Sequence, residues 1–409
     1  MRFCMVTTFY PPYNYGGDGY FVRNLSRALV RRGHEVHVVH CRDAYRMRSG
    51  EPDLRARAPD GVQVHQLSSE WRHLSPLISH QFGSAGPKAT KLREMLSGSF
   101  DVVNFHNVSL MGAPSILGWS QARVTLYTFH DHWFLCPTHC FWKNRAEVCQ
   151  SKACFSCAIR SGVPPQLWRF GKLLKRSLRH IDTFLSPSQF TADKHLAEFP
   201  DIPITVLPTF SYAPPADPVS LNSRDGFIYA GRLTRAKGVD ALLKLFQQMP
   251  SHRLTLLGDG ELASEARSIA STHPNIEYLG KQPQESLHSC YSKARALILP
   301  SRAPEVFPLV VLEAMSQGLP VITTDAGGAS EAVKSSGGGR VVRSDSEMRE
   351  AVELIARDDL LWQKQSRLGR EGYLNRYTEE RYLESYLSLI ASRLDRVSTK
   401  EDRRRAASQ

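Results

Sequence analysis

Short apolar runs alternate with amphipathic stretches along almost the whole chain. In the first half, Phe3–Phe9, Val36–His40, Val102–His106, Val124–Phe129 and Thr183–Ser186 read as strands. Gly19–Arg32 carries Phe21, Val22, Leu25, Ala28 and Leu29 on one face of a helix that Gly33 ends, and Leu167–His180 also reads as a helix. From Phe227 the alternation restarts more regularly. Strands Phe227–Ala230, Arg253–Leu257, Ile276–Leu279, Ala296–Pro300 and Pro320–Thr323 enclose helices Val239–Met249, Ala263–His273, Gln284–Lys293 and Pro308–Gln317. Amphipathic helices Glu347–Arg357, Trp362–Tyr373 and Glu379–Leu394 close the pattern. Apolar strands separated by helices predict an α/β chain with parallel, doubly wound sheets.

The chain has 409 residues, too many for one ordinary core. Pro208–Pro218 holds four prolines in eleven residues, which excludes a helix and marks a boundary. The expected organisation is a domain at 1–208 with a Cys-rich insertion at 130–160, a linker at 209–225 and a second domain at 226–378. The helix at about 379–396 returns to the first domain, and the basic stretch 397–409 is expected to be disordered. Ligands of open parallel sheets bind beyond the carboxyl ends of the strands, so two such domains face to face would form a cleft.

Charge adds a second asymmetry. Residues 1–210 carry 25 Lys and Arg against 15 Asp and Glu, a net of +10, while the remainder carries 27 against 25, a net of +2. A basic first half suits an anionic partner, either a lipid-linked diphosphate or an anionic membrane surface. Arg169, Lys172, Lys175, Arg176 and Arg179, beside Trp168 and Phe170, recur at helical spacing as candidate contacts. Nucleic acid is the weakest of the anionic partners and is not expected, because no zinc-finger, helix-turn-helix or RNA-binding aromatic pattern is present. No run of eighteen apolar residues exists, and the start reads as a buried strand. The expected location is the cytoplasm, with peripheral contact at the inner face of the membrane.

The strongest chemical signal is Tyr229-Ala230-Gly231-Arg232-Leu233-Thr234-Arg235-Ala236-Lys237-Gly238. A strand ends in Gly231, and two cations follow before a helix begins near Val239, a combination suited to a diphosphate. Glu305 and Glu313 flank an apolar run, and Glu313 falls inside an otherwise apolar helix. A carboxylate there needs hydrogen-bond donors, which a ribose diol supplies. Free N–H groups near Pro308–Val310 could hold a phosphate.

Taken with Gly258-Asp259-Gly260, Pro300-Ser301, Glu313-Ala314-Met315, Gly318, Pro320-Val321, Gly327-Gly328 and Glu331, these runs resemble retaining glycosyltransferase family 4. Pro11-Pro12, Gly16-Gly17, Arg32-Gly33-His34-Glu35-Val36 and Ser186-Pro187-Ser188 extend the resemblance over nearly the whole chain. It implies the GT-B fold, two Rossmann-like domains facing across a cleft, with a nucleotide-sugar donor and retention of anomeric configuration. It also implies residue roles. Arg232 and Lys237 would neutralise the leaving diphosphate, Glu313 would bind ribose, and Glu305 would contact the donor sugar. Gly231, Gly258, Asp259, Phe307, Pro308 and Leu309 would line the donor, Gly16 and Gly17 would bring loop backbone against it, and His130 would face sugar and acceptor. Val306 stands where relatives often have glycine.

A cationic pair aimed at the diphosphate stabilises the leaving group without a metal. No Asp-x-Asp element marks a strand end, so no catalytic metal is expected. UDP- and GDP-sugars both fit as donor, and a glycan or lipid-linked hydroxyl fits as acceptor. A GT-B epimerase or phosphorylase is the alternative. A nicotinamide oxidoreductase is disfavoured, because Thr7–Pro12 lacks a Gly-x-Gly-x-x-Gly turn.

Five of the eight cysteines fall within residues 136–157. In a reducing compartment such clustering suits a structural zinc or packed thiols. Some relatives resemble the chain here, which points to Cys136, Cys149, Cys154 and Cys157 as ligands, with Cys140 or His139 as substitutes.

Overall fold

The computed structural model describes residues 1–49, 51–52, 60–211 and 224–407. Most of the proline-rich linker, 212–223, lies outside the described residues. The chain divides into two compact units. One comprises Met1–His139, Cys154–Pro208 and the chain from Glu379, and the other Cys140–Ala153 and Thr209–Thr378.

The first unit is built on strands β1 (Arg2–Val6), β2 (Glu35–Cys41), β3 (Gln63–Leu67), β4 (Val102–Phe105) and β5 (Val124–Thr128). The second unit holds a short hairpin, β6 (Trp142–Lys143) and β7 (Glu147–Val148). Strands β8 (Thr183–Ser186) and β9 (Ile204–Val206) complete the first sheet, all parallel, in the order β3-β2-β1-β4-β5-β8-β9. Its central strands are buried along their whole length, which is why they read as continuous apolar runs.

The helix Glu379–Ala407 belongs to this unit. Tyr386 is fully buried, and its Oη accepts a hydrogen bond from Asn104 Nδ2 at 3.1 Å, which ties the helix to β4 across the core. Thr128 Oγ1 donates to Asn104 Oδ1 at 3.1 Å, so both ends of that buried amide are satisfied. Arg31 pairs with Glu379 at the helix start. The backbone of this helix continues to Ala407, so the basic stretch expected to be disordered is helical through that residue. Residues 408–409 lie outside the described residues.

The second unit has strands β10 (Phe227–Ala230), β11 (Leu254–Leu257), β12 (Ile276–Gly280), β13 (Ala296–Leu299), β14 (Val321–Thr324) and β15 (Gly339–Val342). They form a parallel sheet in the order β12-β11-β10-β13-β14-β15. Helices Val239–Gln247, Leu309–Ser316 and Asp345–Arg357 bury their apolar faces on it. The strand order reverses beside β10, so the carboxyl ends of β10 and β13 flank a switch point where such sheets bind ligands.

Three expectations change here. The hairpin of the Cys-rich insertion is part of the second unit rather than the first. Its turn is tight, with Asn144 and Arg145 at positive φ and Ala146 N donating to Lys143 O at 3.0 Å. Leu167–His180 is not one helix. A 3-10 turn, Leu167–Phe170, is separated from the helix Leu173–Leu178 by extended Gly171. Arg169 is not a surface cation either. It donates to the carbonyls of Trp133 and Phe134, lies over the Trp168 ring, and burial lowers its pKa to about 10.

Candidate donor and acceptor sites

In the second unit, β10 ends at Ala230, and Gly231 N donates to Leu257 O at 3.0 Å. The adjoining loop holds Arg232, exposed, with its carbonyl accepting from Tyr229 Oη at 2.7 Å. A 3-10 turn, Arg235–Lys237, follows, capped by Thr234, whose Oγ1 accepts from Lys237 N. Gly238 then enters the next helix at φ +71, and a Cβ there would lie 2.0 Å from the Pro300 carbonyl. Only glycine allows that approach, which brings the Lys237 turn against the end of β13.

Beyond β13, Ser301 Oγ donates to Glu305 Oε1 at 2.6 Å, and Lys237 Nζ forms an ion pair with the same oxygen. Burial opposes the Glu305 charge most strongly, but the Lys237 ammonium, the Ser301 hydroxyl and the Arg232 guanidinium together hold the carboxyl below the usual range. The backbone of Glu305 is pinned as well. Its N–H donates to Ala326 O at 3.1 Å, and its carbonyl accepts from Gly328 N at 2.8 Å. A Cβ on Gly327, at φ +85, would lie 2.1 Å from that carbonyl.

Glu313 lies in the helix Leu309–Ser316, which Pro308 precedes as N-cap. Its carboxylate accepts from Tyr291 Oη at 3.1 Å, and burial raises its pKa to about 7. Gly258 and Asp259 follow β11, and Asp259 O accepts from Leu233 N at 2.9 Å, which ties this loop to the Arg232 loop. Phe307 lies 5.8 Å from the Tyr377 ring, and Val306 is buried. The expected donor residues of this unit are therefore gathered at the carboxyl ends of β10, β11 and β13. Ser301 and Tyr291 join them as partners of the two glutamates. A cavity of about 1010 Å³ between the β6–β7 hairpin and the ends of β13–β15 shares Ser301 with this site.

The first unit presents its own polar cluster at the ends of β1, β4 and β5. Gly16 is the N-cap of the helix Gly17–Arg31, and Asn14 Nδ2 donates to its carbonyl at 2.8 Å. Asp18 in the first turn accepts from Asn107 Nδ2 at 3.3 Å, and the same amide reaches Asp131 at 3.3 Å. His130 Nε2 lies 2.9 Å from His106 Nδ1, so one ring donates and the other accepts. Burial lowers the pKa of both rings, against the pull of Asp18 and Asp131 on His130. Asp131 bonds His139 Nδ1 at 2.7 Å and accepts from Trp133 N at 2.8 Å. Burial works against that carboxylate, but His139, the Trp133 N–H and His132 together lower its pKa. His106, Asn107 and Asp18 were not predicted; the polar Asn107-x-Ser109 stretch after an apolar strand was their only local signal.

Among the described residues no group of three or more His, Cys, Asp or Glu side chains could hold a metal ion. Cys136 Sγ meets Thr138 Oγ1 at 3.2 Å, and Cys157 Sγ meets Ser161 Oγ at 3.8 Å. Cys149 Sγ donates to Ser151 O at 3.6 Å.

Comparison with known proteins decides the family. Residues 15–210 match the profile described as Glycosyltransferase Family 4, and residues 219–374 match Glycosyl transferases group 1. The chain belongs to these glycosyltransferases. This glycosyltransferase is 27% identical to a glycogen synthase of Mycobacterium tuberculosis, over 91% of its own length and 90% of the relative's. Its fold matches sucrose-phosphate synthase from Thermosynechococcus elongatus with a TM-score of 0.73 at 20% identity, covering 96% and 99% of the two chains. Anabaena HepE in complex with UDP and glucose matches at 0.66 and 15%, covering 96% and 100%. The two Rossmann-like units are those of the GT-B fold.

Proposed function

We propose that this glycosyltransferase moves a sugar from a nucleotide-sugar donor to an acceptor hydroxyl, with retention of configuration and without a catalytic metal. The observation that carries the reading is the Lys237–Glu305 ion pair beyond the ends of β10 and β13, with the Arg232 charge acting on the same carboxylate. A bound donor would exchange partners within that pair. Its diphosphate would take the Lys237 ammonium and the exposed Arg232 guanidinium, and its sugar hydroxyls would donate to Glu305. Glu313 would accept from ribose hydroxyls, whose donation favours the charge that burial disfavours. As the glycosidic bond breaks, negative charge grows on the diphosphate, where two cations are already oriented. In the first unit, His130, held by His106, is the proposed acceptor-side residue.

The HepE complex with UDP and glucose supports a uridine donor over GDP, and the glycogen synthase relative supports a glycan or glycoconjugate acceptor. Thermal-shift measurements against UDP-, GDP- and ADP-sugars test the reading. One nucleotide class should stabilise the wild-type protein and leave an Arg232→Ala/Lys237→Ala variant unmoved. No stabilisation by any class, or equal stabilisation of the variant, would overturn it.

A further inference from the structure

The helix Leu74–Phe82 in the first unit is inside out. Ser75, Pro76 and Ser79 are buried, while Leu74, Leu77 and Phe82 are exposed. The short helix Cys154–Arg160 repeats this, with Cys157 and Ala158 buried and Phe155 and Ile159 exposed. In the turn Leu167–Phe170, Trp168 is buried, while Leu167 and Phe170 are exposed, Phe170 at 70%.

These three elements share one surface. Trp168 Nε1 donates to His80 O at 3.0 Å, which seats the turn on the first helix. The Phe170 and Phe155 rings lie 6.0 Å apart, which joins the turn to the second. Of the seventeen exposed large hydrophobics among the described residues, eight fall in 71–82 and 155–170. An apolar face that gathers nearly half of the exposed large hydrophobics among the described residues marks an interaction surface.

Charge selects the occupant. Besides the inward-turned Arg169, residues 154–181 hold five Lys and Arg, all exposed, and no Asp or Glu; residues 71–93 hold exposed Arg72, Lys91 and Arg93, with Lys88 buried, and no Asp or Glu. Lys172, Lys175, Arg176 and Arg179 are exposed beside the apolar turn. Aromatic and aliphatic side chains beside the exposed cations Lys172, Lys175, Arg176 and Arg179 suit the boundary between acyl chains and anionic headgroups. We propose that this face docks on an anionic phospholipid surface, with Phe155, Phe170, Leu74 and Leu77 entering the interface. The apolar side chains, rather than a basic helix alone, would anchor the protein. No helix among the described residues is long and apolar enough to cross a membrane, so the contact would be peripheral.

Co-sedimentation of the full chain with vesicles tests this. Wild type should bind phosphatidylcholine vesicles containing phosphatidylglycerol, bind pure phosphatidylcholine far less, and release as salt rises. Phe155→Ser/Phe170→Ser should weaken binding about tenfold or more, with unchanged melting, because both rings are already exposed. Lys172→Glu/Lys175→Glu/Arg176→Glu should weaken it independently and supplies a second test. No vesicle binding by wild type, or equal binding to neutral and anionic vesicles, would overturn the proposal. So would a wild-type dimer that the Phe155→Ser/Phe170→Ser variant converts to monomer, since the face would then belong to a second copy. Vesicle binding is independent of transfer chemistry, so its failure would leave the donor site as described.

Discussion

Lys237 Nζ and Glu305 Oε1 form an ion pair in the second unit, and Ser301 Oγ donates to the same carboxylate oxygen at 2.6 Å. Before a donor arrives, each charge of the pair therefore stabilises the other. Arg232→Ala and Lys237→Ala should each lower kcat about a hundredfold or more, because each removes charge from the leaving-group side. Lys237→Ala should also leave Glu305 buried without its cation and raise its pKa. Steady-state kinetics with the donor identified by thermal shift checks this, and wild-type turnover in both variants would contradict it.

Glu313 gives a prediction with a defined sign. Its folded carboxyl titrates at about 7, above the ordinary 4.5, because of burial. The unfolded chain ionises first, so this group costs stability as pH rises from about 4.5 through 7. Glu313→Gln should therefore stabilise the protein at pH 8, by at most about 3 kcal/mol, and do little at pH 4. It should weaken nucleotide binding at the same time. Denaturant unfolding at the two pH values checks the sign, and a destabilised variant at pH 8 would contradict it.

Gly327→Ala should cost about 3 kcal/mol and lower activity in the protein that still folds. The added methyl would meet the Glu305 carbonyl at 2.1 Å, and the residue sits at φ +85. Relief of that clash would displace the backbone of Glu305 itself. Melting and kinetics measured together check this; an unchanged melting temperature would contradict the contact.

The second unit was far more legible in sequence than the first. Its strands are short and apolar, the Gly231–Gly238 turn and the Glu305–Glu313 run lie close in sequence, and their contacts follow from neighbouring strand ends. Strands β10 and β8 match their expected bounds of Phe227–Ala230 and Thr183–Ser186. Strand β3, Gln63–Leu67, was missed because its polar alternation lacks a continuous apolar signal. The helix Leu74–Phe82 was missed because its buried face is Ser, Pro and Ser. In Leu167–His180 the helical spacing was misleading. Arg169 and Trp168 turn inward to Trp133, Phe134 and His80, contacts far away in sequence. The His106–His130 pair was equally hidden, since it spans 24 residues.

That pair predicts a further pH effect. Burial lowers both imidazole pKa values below 6.5, so stability is lost as pH falls below about 6.5 and the unfolded chain takes up protons first. His106→Leu should lose less stability than wild type between pH 7 and pH 5. It should also lower kcat about tenfold by leaving His130 Nε2 without its partner, while donor KM changes little. A variant with wild-type kcat and wild-type acid sensitivity would contradict the positioning role.

The anomeric outcome of transfer tests the central claim most directly. The donor identified by thermal shift is turned over in excess chelator, with water as acceptor if no better one is found, and proton NMR reads the product before it mutarotates. The account predicts that the first-formed sugar keeps the donor's anomeric configuration and that chelator leaves the rate unchanged. Inversion at that centre, or activity abolished by chelator and restored by a divalent cation, would contradict it.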